Sequence, residues 1–124
     1  MNQILITGGL GYIGSHTVVE LIQAGYDPIL IDNLSESPIE VKDRIEKIVG
    51  REITFRQVEL CDRAAVDSVF KEFREISGVI HFAAFLLVNE SVEAPLKYYH
   101  ENLLSNVNLL QSMEAHGIRN IVFS

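Results

Sequence analysis

Short apolar runs and helical stripes alternate along the chain. Gln3–Thr7 is an apolar run that ends in glycines, the pattern of a buried strand. Ile13, Thr17, Leu21 and Ala24 then recur at helical spacing up to Gly25, a C-terminal stop. Residues 28–31 predict a second strand, and Val41, Ile45, Ile48 and Val49 mark one face of a helix that ends at Gly50. Residues 54–58 predict a third strand. After it, Val66, Val69, Phe70 and Phe73 keep helical spacing, with Asp62 placed to cap their helix. Residues 79–82 predict a fourth strand. Leu96, Tyr99, Leu103, Val107, Leu110 and Met113 form a long helical stripe with Gly117 beyond its end, and residues 120–123 predict a fifth strand.

Strands alternating with helices in this way predict a parallel sheet covered on both faces. Right-handed crossovers place the five strands in the order 3-2-1-4-5, a Rossmann-type doubly wound α/β fold. At 124 residues the chain reads as one domain, residues 1–124. Ending on a strand whose outer flank is uncovered is the expectation for the N-terminal part of a longer protein. Unless the rest of the longer protein covers it, that open strand edge also predicts self-association into a homo-oligomer.

Charge narrows the partners. Seventeen acidic residues against ten basic ones give a formal net charge of −7, so neither nucleic acid nor an anionic membrane surface is an expected partner. Cys61 is the only cysteine; it excludes an internal disulfide and an all-thiolate metal site, and no metal is expected. Its apolar surroundings read as those of a small buried or half-buried residue. The longest apolar run, residues 78–88, contains His81 and falls well short of the roughly 20 residues that span a bilayer. Met1-Asn2-Gln3 leads straight into a strand with no room for a signal peptide, so the cytoplasm is the expected compartment.

Between the first strand and the first helix stands Thr7-Gly8-Gly9-Leu10-Gly11-Tyr12-Ile13-Gly14. Glycines in that position let backbone N–H groups approach a pyrophosphate, and the helix N-terminus adds a favourable dipole. The spacing fits both Gly9-x-Gly11-x-x-Gly14 and the wider Gly8-x-x-Gly11-x-x-Gly14. Asp32 closes the second strand 18 residues beyond Gly14, where a carboxylate accepts the ribose hydroxyls. A carboxylate there repels a 2′-phosphate, and neither Asn33 nor Leu34 compensates it. The expected cofactor is NAD rather than NADP.

The chain resembles the UDP-glucose 4-epimerases, extended members of the short-chain dehydrogenase/reductase superfamily. The residues that carry the resemblance are 7–17, Asp32-Asn33-Leu34, Val79-Ile80-His81-Phe82-Ala83-Ala84, Glu90-Ser91-Val92, Pro95-Leu96, Tyr98-Tyr99, Asn102 and Val122-Phe123-Ser124. It implies that Gly8, Gly11, Tyr12, Ile13 and Gly14 line the pyrophosphate and that Asp32 and Asn33 hold the adenosine ribose. Glu59 and Leu60 fall where the family has an Asp-Ile pair at the adenine. Phe82, Ala83 and Ala84 would pass beside the cofactor, Asn102 would reach the nicotinamide half, and Ser124 would open the family's serine-rich segment. His81 reads as a hydrogen-bonded structural residue rather than a base. Nucleotide-sugar dehydratases and decarboxylases share this N-terminal architecture, and a stand-alone NAD-binding module without catalysis is a second alternative.

Two differences bear on chemistry. The family's reaction inverts C4 of a UDP-sugar with a Tyr-x-x-x-Lys pair. Here Tyr12, Tyr26, Tyr98 and Tyr99 are followed four residues on by His16, Leu30, Asn102 and Leu103, so the pair is missing and no catalytic residue is assigned. A UDP-sugar is therefore expected as substrate only of the longer protein. The family also places a lysine against the cofactor phosphates where this chain has Leu86, and a small residue where it has Asn89. A charge-assisted contact of that kind contributes about 1.5–3 kcal/mol. NAD is thus expected to bind about tenfold or more weakly than with the lysine present. Calorimetric titration of a Leu86→Lys variant is expected to show that gain, and unchanged affinity would contradict it.

Overall fold

The computed structural model describes residues 2–35, 37–82 and 95–124. Ala83, Ala84, Leu86, Asn89 and the Glu90-Ser91-Val92 segment lie outside the described residues. The elements follow in the order β1 (Gln3–Thr7), α1 (Tyr12–Gln23), β2 (Asp27–Asp32), α2 (Glu40–Val49), β3 (Thr54–Gln57), α3 (Arg63–Glu72), β4 (Ile76–His81), α4 (Pro95–Ala115) and β5 (Ile121–Phe123).

The strands form one sheet in the order β3-β2-β1-β4-β5, parallel at every pairing. This is the doubly wound arrangement that the alternating pattern predicts. Because strand side chains alternate in direction, neighbouring residues of one strand enter different cores. Leu5, Ile29 and Ile31 join Val66, Val69, Phe70, Leu109 and Met113 of α3 and α4 in one cluster. Ile6 and Leu30 join Val18 of α1 and Ile45 of α2 in the other. Such strands read as continuous apolar runs because both faces are covered.

The helix ends follow local chemistry. Asp62 accepts the Ala65 N–H at 3.3 Å and starts α3. Gly50 takes a left-handed conformation at φ 72° and ends α2. Glu46 of α2 accepts both the Lys42 ammonium, at 3.1 Å, and the Ile53 N–H, at 2.9 Å, and so ties the helix to the segment entering β3. Strand ends shift by a few residues from expectation: β4 begins at Ile76, ahead of Gly78, and stops at His81. Among the described residues, no helix is long and apolar enough to cross a membrane.

The helical stripe on α4 is placed differently from what its periodicity suggests. An apolar stripe ordinarily faces the core, yet Leu96 is 82% exposed, and Tyr99, Leu103, Val107 and Leu110 are all exposed too. Only Met113 of that set is buried. The packed face instead carries Ser105, Asn108, Leu109, Ser112 and Met113. Its small and polar residues allow close approach because each finds a partner. Asn108 Nδ2 donates to the Leu60 carbonyl at 2.8 Å, and the Ser112 hydroxyl donates to Asp67 at 2.5 Å. Urea unfolding checks this assignment of faces. Leu109→Ala is expected to lose about 2–5 kcal/mol, and Leu103→Ser within about 0.5 kcal/mol of none. The reverse ranking would contradict it.

Candidate functional site

The carboxyl ends of β1, β2 and β4 meet where the chain order reverses, β1 lying between β2 and β4. Open parallel sheets bind ligands at such a switch point. A crevice of about 120 Å³ opens there, its mouth facing solvent. Backbone bonds draw its walls together. Gly8 N–H donates to the Ile31 carbonyl at 2.9 Å, Val58 N–H to the Asp32 carbonyl at 3.1 Å, and Phe82 N–H to the Thr7 carbonyl at 3.1 Å.

The glycine turn forms one wall. Gly8 sits at φ 65°, and its carbonyl accepts the Gly11 N–H at 3.0 Å. A Cβ on Gly14 would collide with that same Gly8 carbonyl, and one on Gly9 would stand 2.8 Å from Leu30 of β2. Glycine is thus required for α1 to start so close to the sheet. Gly11 is the N-cap and has no side chain to cap with, and the first turn of α1 carries no acidic residue. The early N–H groups and the positive end of the helix dipole are left for an anion. This geometry fits a dinucleotide pyrophosphate.

Asp32 faces the turn from the end of β2. Its Oδ1 accepts the Leu34 N–H at 2.8 Å, and its Oδ2 accepts the Leu10 N–H at 3.3 Å. A carboxylate offers about four lone-pair sites, so these two bonds fix its orientation and leave capacity for hydroxyls. Leu34 takes φ 64° to make its bond, strain of the kind that gathers at binding sites. Asn33 Nδ2 donates to Glu59 Oε2 at 2.9 Å, and Glu59 Oε1 accepts the Cys61 N–H at 3.2 Å. That bridge joins the loop after β2 to the loop after β3.

Of the residues expected to bind cofactor, Gly8, Gly11, Asp32, Asn33, Glu59, Leu60, Phe82 and Asn102 all line this one crevice. Gly14 is buried beneath the turn, whereas the Tyr12 and Ile13 side chains project outward. Ser124 lies exposed beyond β5, its N–H donating to the His81 carbonyl at 3.2 Å. Ala83, Ala84 and Leu86 lie outside the described residues. Thr7, Ser35, Ser37, Cys61, Glu101 and Ser105 also line the crevice without having been singled out for it. Their signals were positional. Ser35 and Ser37 directly follow the acidic end of β2, and Ser105 stands one helical turn after Asn102.

The described wall carries carboxylates at Asp32, Glu59 and Glu101, and no lysine or arginine. Burial, then the neighbouring charges of Glu59 and Glu101, push the half-buried Cys61 thiol up to about 11, so it stays protonated at neutral pH. Among the described residues no cluster of His, Cys, Asp and Glu is arranged to hold a metal ion.

Fold and crevice together define a dinucleotide-type α/β domain. The model of the NAD dependent epimerase/dehydratase family matches residues 4–124, and the chain belongs to that family. It is 54% identical over 121 residues to a UDP-glucose 4-epimerase of Bacillus subtilis (strain 168), covering 98% of this chain and 35% of that protein. A Mus musculus UDP-glucose 4-epimerase is 45% identical over 130 residues, with 100% of this chain and 37% of that protein covered. The UDP-glucose 4-epimerase of Bifidobacterium longum, solved in complex with NAD+ and UDP, superposes with a TM-score of 0.94 at 40% identity. That match covers 99% of this chain and 36% of that one. The enzyme from Stenotrophomonas maltophila, solved with NAD and formylated UDP-arabinopyranose, gives 0.93 at 38% identity, covering 99% and 36%. The chain therefore spans about a third of the length of these relatives.

Gly14→Ala tests the tight turn. The collision with the Gly8 carbonyl is expected to lower unfolding free energy by about 1–3 kcal/mol in urea titrations. Wild-type stability in this variant would contradict the required approach.

Proposed function

We propose that these residues hold NAD as the cofactor-binding part of a UDP-glucose 4-epimerase, and that they do not turn over a sugar by themselves. The supporting observation is the convergence of the glycine turn, the Asp32 carboxylate and the Asn33–Glu59 bridge on one crevice, in a chain 54% identical to such an epimerase. The pyrophosphate rests on Gly8, Gly11 and the first turn of α1, with Tyr12, Ile13 and Gly14 contributing backbone N–H groups. Asp32 accepts the ribose hydroxyls. Glu59 and Leu60 face the adenine, with Asn33 holding the Glu59 carboxylate in place. Phe82, followed in sequence by Ala83 and Ala84, passes beside the cofactor, Leu86 takes the position of the family's phosphate-contacting lysine, Asn102 reaches the nicotinamide half, and Ser124 extends the wall beyond β5.

When bound, NAD supplies a reversible acceptor for the hydrogen at C4 of the UDP-sugar. These residues supply position and field for it. Proton removal from the 4-hydroxyl needs the tyrosine–lysine pair, which is missing here, so UDP-glucose and UDP-galactose interconvert only in the longer protein through a 4-keto sugar. The UDP-sugar is a partner of that longer protein. On this reading the compartment is cytoplasmic, and the β5 edge, paired on one side only among the described residues, is covered by a second copy of the chain or by the rest of the longer protein.

Isothermal titration of the 124-residue protein with NAD and NADP tests the reading. NAD is expected to bind at least about tenfold more tightly, because a 2′-phosphate meets the Asp32 carboxylate in a wall with no lysine or arginine among its described residues. Asp32→Ala is expected to weaken NAD about tenfold or more and to narrow the gap to NADP. Tighter NADP binding, or no effect of Asp32→Ala, would overturn it.

A further inference from the structure

His81 closes β4 and pairs in register with Thr7 of β1 and Phe123 of β5. It is only 5% exposed, and both ring nitrogens are engaged. Nδ1 lies 2.6 Å from the Thr7 hydroxyl oxygen, and Nε2 lies 2.6 Å from Asn106 Oδ1 of α4. An amide oxygen only accepts, so Nε2 carries the hydrogen and the neutral ring presents Nδ1 as an acceptor. The Thr7 hydroxyl donates to Nδ1, and its oxygen accepts the Phe82 N–H at 3.0 Å. The donors thus point one way, from Phe82 through Thr7 and His81 to Asn106. Thr7 and Phe82 both line the crevice, and Thr7 leads directly into Gly8.

We propose that His81 is a positioning residue for the dinucleotide: its neutral, Nε2-protonated ring fixes the Thr7 hydroxyl, and through it the start of the glycine turn and the exit of β4. The proposal rests on the NAD-binding reading of the crevice. A second proton on the ring would place a hydrogen on Nδ1, facing the hydrogen that Thr7 donates. The hydroxyl would then have to turn and accept, and the rearrangement falls on two residues of the crevice wall.

The surroundings keep the ring neutral. Burial holds its pKa below the ordinary histidine value, and the Asn106 hydrogen bond opposes this only in part. The groups facing the ring are uncharged: Thr7 from β1, Phe123 edge-on from β5 at 5.6 Å, and Asn106 from α4. No charged side chain among the described residues contributes to the shift. Because the folded-state value is the lower one, the unfolded chain takes up this proton first as pH falls below about 6.5. The stability contributed by neutral His81 is complete above that pH and is lost as pH falls towards the folded-state value.

Asn106→Asp separates this role from simple packing, because a carboxylate at Nε2 favours the imidazolium and raises its pKa. NMR titration of the His81 ring is paired with NAD affinity measured calorimetrically across the same pH series. In the variant, affinity is expected to fall about tenfold, the loss of one well-made hydrogen bond, as His81 takes up its proton. In the wild type that fall is expected only at lower pH. A His81 titration that moves up while NAD affinity keeps the wild-type pH profile would overturn the proposal. Thr7→Val removes the hydroxyl while keeping the branched shape, and is expected to weaken NAD about tenfold with an unchanged circular dichroism spectrum; undiminished affinity would equally overturn it. Absence of NAD binding by the wild-type chain would instead overturn the assignment of the crevice.

Discussion

The passage from β1 into α1 leaves no space for a side chain, and the geometry of the crevice depends on it. Gly14 comes so close to the Gly8 carbonyl that a Cβ would collide, and Gly9 packs against Leu30 of the neighbouring strand. This closeness aims the positive end of α1 at the carboxyl edge of the sheet and leaves the first-turn N–H groups without a side-chain cap. The register that aligns Thr7 with Ile31 and with His81 brings the ends of β2 and β4 to the same level. Loops after four strands then face one another because their strands end together.

Electrostatics divides the crevice into two unlike parts. Around Asp32, Asn33 and Glu59, carboxylates are held by backbone N–H groups and an amide, an arrangement suited to ribose hydroxyls and exocyclic amines. On the proposed reading the phosphates meet no cation among the described lining residues, so attraction for them comes from peptide N–H groups and the helix dipole. A dipole contributes about 0.3–2 kcal/mol to a nearby charge, against about 1.5–3 kcal/mol for a charge-assisted hydrogen bond. On that reading the balance gives a site more selective at its adenosine end than strong at its phosphate end.

Most of the fold was legible from the chain because its strands are buried on both faces and α1, α2 and α4 stop within two residues of a glycine. Asp62 does cap α3 as its position implied, and Gly50 does end α2. The α4 stripe shows the limit of periodicity. A repeat of 3.6 residues reveals that one face is apolar, but not what covers it. Here the packed side took Asn108 and Ser112, whose polar atoms find partners 48 and 45 residues away in sequence, and Ser105, whose hydroxyl donates to the Asn102 carbonyl on its own helix. At the site, Gly8, Gly11 and Asp32 could be placed by spacing because that spacing reflects the length of one βαβ unit. Ser35, Ser37 and Ser105 gave no comparable signal, since small polar residues occur in any loop or helix. The chain from Phe82 through Thr7 and His81 to Asn106 joins residues up to 75 positions apart, and only the sheet register brings them together.

The central claim is that this crevice, as already formed by residues 2–35, 37–82 and 95–124, receives NAD. Backbone-amide NMR of the labelled chain titrated with NAD tests it most directly. Shifts are expected at Gly8, Gly11, Asn33, Glu59 and Leu60, with little change at Lys47 in the last turn of α2 or at Arg51, which pairs with Asp27 at the opposite end of β2 from Asp32. Saturating NAD that left the Gly8 and Asn33 amides unmoved, or shifted mainly the α2 surface, would contradict the account.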